Sequence, residues 1–239
     1  MRKSRSIQLH PESGIVHVYG RCHNRSHNFK LAQQKRIYIQ ALWNSLQREQ
    51  SDYFDQIEIS SFCIMDNHTH SIQKYRNGCL NLSKHLRFAH SENARQFNRN
   101  HQRSGAFGES RPKTSLIQNE HYEMIAHMYI EANPIRAGLC KLEELKLYKF
   151  CSYRFYAYGI QDEFTKNLKI PQWYLSLGKT KRERQAKYRK LFAKYLRETT
   201  ITKASKKSFY SPYFGNIDWV TLVQRQQLRN LPNDVSPPH

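Results

Sequence analysis

The sequence predicts an α+β fold, in which helices pack against an antiparallel β-sheet. Short segments alternate apolar and polar residues as strands do, and longer segments repeat apolar residues at helical spacing. The order of these segments is strand, helix, hairpin, helix, loop, helix, which differs from the regular alternation of a doubly wound α/β protein. The chain has 239 residues, of which 38% are hydrophobic, so it can bury a sizeable core.

The first half of the chain contains a strand, a helix and a hairpin. Residues 14–24 alternate β-branched and aromatic residues and predict the first strand. Residues 28–50 carry apolar side chains at helical spacing and predict a helix. Residues 54–65 predict a second strand, "MDN" a turn, and "HTHSIQ" a strand that returns antiparallel on the inside of the sheet.

The second half begins with helices and becomes strongly basic. We predict a helix over residues 81–97, a loop over residues 98–115, and a further helix that ends or kinks at Asn133, because Pro134 disfavours helical geometry at the residue before it. The composition shifts near residue 160. We therefore predict a first domain at residues 1–160 and a basic, partly helical extension at residues 161–239, whose Pro- and Asn-rich end from residue 230 would be frayed.

The charge of the chain points to an anionic partner. There are 39 Lys and Arg residues against 19 Asp and Glu residues, a formal net charge of +20. Such a charge opposes a compact state unless a polyanion binds, so nucleic acid is the first candidate partner and an anionic membrane surface is the second. No apolar run approaches 18 residues and no signal peptide is recognisable, so we expect a cytoplasmic, nucleoid-associated protein with no membrane partner.

His68 and His70, in "CIMDNHTHSIQ", are candidate metal ligands. Side chains alternate faces along a strand, so residues i and i+2 point the same way and their imidazoles can hold one ion. Two histidines alone form a weak motif, and the alternative is a pair of ordinary histidines in a hairpin. A metal site therefore needs a third ligand from another part of the chain.

The helix that ends at Asn133 offers both a ligand and a nucleophile. Tyr129 and Asn133 are i and i+4, so they lie on one helix face. If that face covers the histidines, two imidazoles, an amide oxygen and a phenol meet, and this set suits Mg²⁺ or Mn²⁺. Such an ion would polarise a phosphodiester, and attack by the Tyr129 hydroxyl would leave a covalent phosphotyrosine. The alternative is a core aromatic beside an asparagine that caps the helix.

Five segments resemble motifs of the REP-associated tyrosine transposases, which belong to the single-tyrosine HUH transposases. "MDNHTHSI" is similar to the family's M-P-N-H-x-H motif, and "MYIEANPIRAGL" is similar to its Y-I-x-x-N-P-x-R-A-G-L motif. "VYGRCHNR", "CSYRFYAYG" and "WYLSLGKTKRERQAKYRKLF" resemble three further family segments. The resemblance covers residues 10 to 196, and the first two motifs in this order and spacing are its specific part.

The resemblance implies a ferredoxin-like α+β core that carries a metal site and a nucleophile. It implies that His68 and His70 bind the metal, with Asn133 as the third ligand. It also implies that Tyr129 nicks single-stranded DNA beside hairpins of short imperfect palindromes, the repeated extragenic palindromes. The products would be a 5′-phosphotyrosine and a free 3′-hydroxyl.

The chain departs from the family pattern in three respects. Asp66 stands where the family usually has proline in the turn, and the basic G-R-P-R-K tail of the family is missing. Thr69, Ser71 and Gln73 are polar on the face of the strand opposite the histidines. We expect these three residues to weaken the packing under the site or to be partly solvated.

Basic residues along the chain are candidate contacts to DNA phosphates. Phosphate contacts by residues 74–113 and 179–207 would position the DNA without reading its sequence, and the alternative is a solvated charged face. Phe88, Phe97 and Phe107 are expected to stack on bases, and for Phe88 and Phe97 core packing is the alternative. His17 and His23 flank the first-strand motif and are further candidate phosphate contacts. The residues that we predict to bind DNA are Arg21, Arg25, Arg87, Arg95, Arg99, Lys181 and Arg182.

The sequence leaves three functions open. The first is a metal-dependent endonuclease and strand transferase that acts on single-stranded DNA with a REP-like hairpin, as a monomer or a homodimer. The second is a domesticated descendant that binds hairpin DNA or RNA without cutting it. The third, a structural zinc protein, is disfavoured because the five cysteines are odd in number and form no C-x-x-C pair, which predicts buried thiols. A replication initiator or relaxase would share the histidine pair but fits the N-P-x-R-A-G-L context less well.

Overall fold

One five-stranded sheet organises the chain. The computed structural model describes residues 12–47, 56–199 and 208–229, and within these ranges the strand order is β2–β3–β1–β4–β5. Strands β1 to β4 pair antiparallel, whereas β5 runs parallel to β4. This arrangement confirms the predicted α+β class and its ferredoxin-like sheet. The strands are β1 (Gly14–Arg21), β2 (Ile57–Ile64), β3 (His68–Tyr75), β4 (Lys113–Ile117) and β5 (Tyr213–Phe214).

The helices fall into two groups. Helix α1 connects β1 to β2, as the predicted order requires, helix α2 connects β3 to β4, and the remaining helices follow β4. None of the described helices is long and apolar enough to cross a membrane. The helices are α1 (Ala32–Leu46), α2 (Cys79–Asn100), α3 (Glu120–Glu131), α4 (Asn133–Arg136), α5 (Tyr153–Tyr158), α6 (Gln172–Leu175), α7 (Lys181–Glu198) and α8 (Ile217–Arg229).

The two faces of the sheet carry different residues. On one face, Val16 and Val18 of β1 pack with Leu82 and Leu86 of α2 in one apolar cluster. On the other face, α3 packs over β2 and β3. Residues that pair across antiparallel strands share a face, so the pairing of Tyr19 with His70 brings β1 side chains next to the histidine pair. The α3 face is therefore the one that carries the candidate site.

The polar residues of β3 on the α2 face are buried. Thr69, Ser71 and Gln73 are 3%, 4% and 0% exposed, so the expectation of a partly solvated face is wrong. Thr69 donates to the hydroxyl of Tyr38 on α1 at 3.3 Å, and the Gln73 amide donates to Ser71 at 3.0 Å. Their hydrogen bonds offset the cost of burying polar groups under the sheet.

A buried carboxylate joins α3 to the C-terminal helices. Glu131 is fully buried and accepts hydrogen bonds from Tyr188 of α7 at 2.6 Å, from Ser152 at 2.5 Å and from His127 at 3.0 Å. Tyr188 belongs to the same apolar cluster as Tyr129. Helix α7 thus packs on the core through its buried Tyr188 and Phe192, and the division of the chain at residue 160 stays a prediction.

Several features differ from the sequence prediction. Lys113–Ile117 forms strand β4, although residues 113–115 fell in the predicted loop, and α2 extends to Asn100. Strand β5 and helix α8 were not predicted. The five cysteines all lie in the described ranges and are free thiols. Four of them are buried, as the sequence predicted. The predicted frayed end at residues 230–239 lies outside the described residues.

Candidate active site

The two histidines of β3 lie side by side under helix α3. The ring centroids of His68 and His70 are 4.9 Å apart, and the rings are nearly perpendicular. His70 is 1% exposed, whereas His68, at the end of the strand, is half-buried. The alternation that predicted a shared face is therefore present in the structure.

Tyr129 converges on the same place from α3. Its ring centroid is 6.2 Å from that of His70. The helix begins after Asn119, whose side chain accepts a hydrogen bond from the Tyr122 amide, and two acidic residues in the first turn favour the helix N-terminus. Tyr129 lies in the third turn, over the sheet. The structure thus brings together the predicted nucleophile and the two histidines that are predicted to bind the metal.

A third histidine belongs to this cluster. His17 of β1 is 1% exposed, and its ring stacks on that of His70 with centroids 5.1 Å apart. Its Nε2 atom lies 2.9 Å from Nδ1 of His70. The expectation that His17 contacts phosphates is therefore wrong, because solvent and DNA do not reach its ring. His23, in contrast, is exposed.

The motif residues after Tyr129 hold its main chain. The Asn133 amide nitrogen donates to the carbonyl oxygens of Tyr129 at 3.1 Å and Ile130 at 3.0 Å. The Arg136 guanidinium donates to the Tyr129 carbonyl at 3.2 Å and lies 5.3 Å from the centroid of the tyrosine ring. The sequence analysis gave Arg136 no role, although its position seven residues after Tyr129 puts both residues on one helix face. Because the amide nitrogen of Asn133 donates two hydrogen bonds, its side-chain oxygen is the atom that can bind a metal.

Residues 208–214, here called the cover segment, lie over Tyr129. Phe209 stacks on the Tyr129 ring with centroids 3.8 Å apart and planes 10° apart. The Tyr129 hydroxyl donates to the Tyr210 hydroxyl at 3.2 Å, and the Tyr19 hydroxyl donates to the Tyr210 carbonyl at 2.8 Å. Tyr129 is left 2% exposed. Sequence reasoning missed this contact, because the cover segment lies about 80 residues from Tyr129 and no local pattern marks it.

Burial under the cover segment makes the Tyr129 hydroxyl harder to ionise. Burial raises the pKa of the Tyr129 hydroxyl well above its usual range, and Tyr210 raises it further, whereas Arg136 acts in the opposite direction. Desolvation disfavours the charged phenolate, so the tyrosine in this arrangement is a neutral phenol. A nucleophilic role requires that the phenol lose its proton and meet its substrate, and both need the cover segment to move.

The donor set fits a metal of the Mg²⁺ or Mn²⁺ type. Asn67 Oδ1 accepts from Nδ1 of His68 at 2.6 Å, which leaves Nε2 of His68 as the atom with the lone pair. Among the described residues, no three His, Cys, Asp or Glu side chains form a metal-binding group, which disfavours a structural zinc site. The ligands that converge here are the two imidazoles, with the Asn133 amide as the candidate third.

The predicted DNA-binding residues lie in different surroundings. Arg21 lines a cleft of about 260 Å³ beside Tyr210, together with Lys113 and Arg111. This cleft shares Arg111 with a groove of about 690 Å³ between α2 and residues 107–112, which Arg87 lines. The other predicted DNA-binding residues are exposed and lie outside both clefts: Arg25, Arg95, Arg99, Lys181 and Arg182.

The structure changes two predictions about contacts with DNA, one for Arg95 and one for the phenylalanines. Arg95 is held by the carboxylate of Glu92 at 2.8 Å, so a phosphate would have to compete with that pair. Phe97 and Phe107 are buried and pack on each other with ring centroids 4.9 Å apart, so the expectation that they stack on bases is wrong. Phe88 is half-buried on α2.

Comparison with known proteins identifies the fold. No protein-family model matches the sequence, and no curated protein sequence gives a significant match. The chain is similar to a solved structure of a REP-associated tyrosine transposase bound to a REP hairpin, with 18% sequence identity and a TM-score of 0.50. The similarity covers 72% of this chain and 99% of that one. The chain therefore has the fold that its sequence resemblance implied, the fold of a REP-associated tyrosine transposase.

Proposed function

We propose that this chain is a metal-dependent endonuclease and strand transferase that acts on single-stranded DNA beside hairpin-forming palindromic repeats. The observation that carries the proposal is the convergence of His68, His70 and Tyr129 on one face of the sheet, with ring centroids 4.9 and 6.2 Å apart. The shared fold supports it, because the similar structure is that of a transposase bound to a hairpin. The net charge of +20 supports a nucleic-acid substrate.

In the proposed reaction, Tyr129 exchanges one phosphate ester bond for another. When bound by His68, His70 and Asn133, Mg²⁺ or Mn²⁺ would polarise a non-bridging oxygen of the scissile phosphate. The Tyr129 oxygen forms a bond to phosphorus and releases its proton. The bond between phosphorus and the 3′ oxygen breaks, that oxygen takes up a proton, and the 5′ phosphate stays on the tyrosine. Arg136 lies close enough to the ring to favour the phenolate as it forms.

The clefts beside Tyr210 provide the proposed path for the strand. Arg21, Lys113 and Arg87 line them, and these side chains would hold the backbone of the DNA. Arg25, Arg99, Lys181 and Arg182 are exposed and would contribute longer-range attraction. Arg95 contributes less in this proposal because Glu92 already pairs with it.

Covalent trapping tests the proposal. Labelled single-stranded hairpin oligonucleotides from the DNA that flanks the gene are mixed with protein and Mn²⁺ or Mg²⁺, and the products are separated on a denaturing protein gel. We expect a labelled protein band that requires metal and disappears in Tyr129→Phe and in His68→Ala. Tyr122→Phe and Tyr153→Phe are the matched controls and should retain the band. A band that survives Tyr129→Phe would refute the assignment of the nucleophile.

A second function is favoured by one observation. Tyr129 is covered by Phe209 and Tyr210 and its pKa is raised, which is the condition expected of a protein that binds hairpin DNA or RNA without cutting it. Binding of the hairpins without any covalent adduct, with both ions and with the cover disrupted, would establish this alternative.

A further inference from the structure

His17 is a buried histidine for which the function proposed above has no use. It lies on the central strand β1 and makes two polar contacts. Its Nδ1 atom is 3.1 Å from the carbonyl oxygen of Phe209 in the cover segment, and its Nε2 atom is 2.9 Å from Nδ1 of His70. One side chain therefore connects a candidate metal ligand to a main-chain acceptor.

These contacts fix which ring nitrogens carry protons. A carbonyl oxygen can only accept, so Nδ1 of His17 carries a proton and donates it to Phe209. The His17 ring is 1% exposed, and burial disfavours a charged imidazolium, so the ring is neutral and has no second proton. Its Nε2 atom is therefore an acceptor, and Nδ1 of His70 must be the donor in the contact between the rings.

The surroundings of His17 agree with a neutral ring. The rings that face it belong to Tyr19, His70, Tyr129 and Tyr210, none of which carries a negative charge near neutral pH. On β4, Ser115 pairs with His17 across the strands. Among these described neighbours no carboxylate stabilises an imidazolium. A doubly protonated His17 would instead donate to Nδ1 of His70 and force the proton of that ring onto Nε2.

We propose that His17 is a positioning residue of the metal site, which holds the proton of His70 on Nδ1 and so leaves the Nε2 lone pair for the metal. The proposal rests on the metal site of the proposed function. It gives His70 the same arrangement that Asn67 gives His68, since in both rings Nδ1 donates within the protein. Such partners set the tautomer and orientation of metal-binding histidines. Their loss typically weakens metal binding roughly 10- to 100-fold.

Substitutions at His17 separate positioning from packing. His17→Leu fills the site without an acceptor, whereas an amide oxygen in His17→Gln can lie near the position of Nε2 and accept from His70. We expect His17→Leu to weaken Mn²⁺ binding roughly 10- to 100-fold, and His17→Gln to retain most of the affinity. His85→Leu is the control, because it removes an equally buried histidine that bonds to Ser45.

Two measurements decide the outcome. Free Mn²⁺ is titrated by electron paramagnetic resonance in the absence of DNA, so activity does not enter the result. Long-range ¹H–¹⁵N correlation spectra of histidine-labelled wild type report the tautomers directly, even if His17→Leu fails to fold. The signals of His70 are assigned as those that disappear in His70→Gln. We expect Nδ1–H tautomers for His17 and His70.

The outcomes for the two proposals differ. An Nε2–H tautomer for His70, or unchanged Mn²⁺ affinity in His17→Leu, would overturn the role of His17 while leaving the endonuclease proposal intact. A wild-type chain that binds no Mn²⁺ would overturn the metal site and the role of His17 together.

Discussion

Truncation of Phe209 should uncover Tyr129 without removing the candidate catalytic residues. The Phe209 ring is buried and parallel to Tyr129, with 3.8 Å between centroids. Burial of a phenylalanine side chain contributes about 2–3 kcal/mol, and Phe209→Ala forfeits that contribution in the covered state. Each 1.36 kcal/mol changes an equilibrium tenfold, so the uncovered fraction should rise about 30- to 160-fold.

Hydrogen exchange would report the opening independently of catalysis. The amides of Leu116 and Gln118 donate to the carbonyl oxygens of Pro212 at 2.8 Å and Phe214 at 3.0 Å. These bonds hold the cover segment to the edge of the sheet, so both amides should exchange faster in Phe209→Ala. Ile217→Ala is the matched control, because that side chain is 74% exposed and lies on the neighbouring helix α8.

The rate at which the covalent adduct forms would show whether opening of the cover segment affects the reaction. If the covered state dominates, the single-turnover rate of adduct formation should rise with the uncovered fraction. In the covered state of the variant, the main-chain carbonyl of residue 209 can still accept from His17, because only the ring is lost. Faster amide exchange with an unchanged adduct rate would refute the reasoning that the cover limits access to Tyr129. Unchanged exchange would show that stacking is not what holds the segment.

Three further predictions concern stability and DNA binding. Burial lowers the pKa of His85 to about 3 from 6.5, so below pH 6.5 the unfolded chain binds a proton that the folded chain does not. The free energy of unfolding should therefore be highest above pH 6.5 and fall by about 1.4 kcal/mol per pH unit below it. Urea unfolding of wild type and His85→Gln at pH 7 and pH 5 checks this. Tyr188→Phe removes a donor from the buried carboxylate of Glu131 and should cost about 1–3 kcal/mol in the same assay, while an unchanged urea midpoint would contradict the role of that hydrogen bond. Lys113→Ala should weaken hairpin binding and reduce the slope of log affinity against log salt concentration by about 0.7–0.9, whereas Lys169→Ala, an exposed lysine at another cleft, should leave the slope unchanged.

Local patterns in the sequence predicted the strongly periodic elements but not the short ones. The alternation in β1 and the helical spacing in α1 and α3 are properties of the segments themselves, so they could be recognised without tertiary information. Strand β4 has five residues, and its Thr114 and Ser115 are polar yet buried where they pair with β1, while β5 pairs with the two residues that follow. Its strand character comes from pairing with distant segments, which no local window contains.

The residues of the candidate site also divide into those that a local pattern predicts and those that it does not. The spacing of His68 and His70 and that of Tyr129 and Asn133 are short-range relations, and the structure places three of these side chains together. His17 requires the register between β1 and β3, in which it pairs with Ile72 and thereby lies diagonal to His70. The cover segment requires the path of the chain after α7. Long-range geometry therefore supplies the residues that surround the candidate site, and local sequence supplies the candidate reactive residues.

Two of the departures from the family motif have polar partners on helix α1, on the far side of the sheet. Asp66 pairs with Lys35 of α1 at 2.7 Å, and the side chain of Lys35 is 7% exposed, so the charge that replaces a turn proline is neutralised by a buried partner. Thr69 likewise bonds to Tyr38 of the same helix. These partners belong to α1, whereas Tyr129 approaches the histidines from the opposite face. Asp66 and Thr69 are thus accommodated by polar partners on α1, away from the face on which Tyr129 meets the histidines.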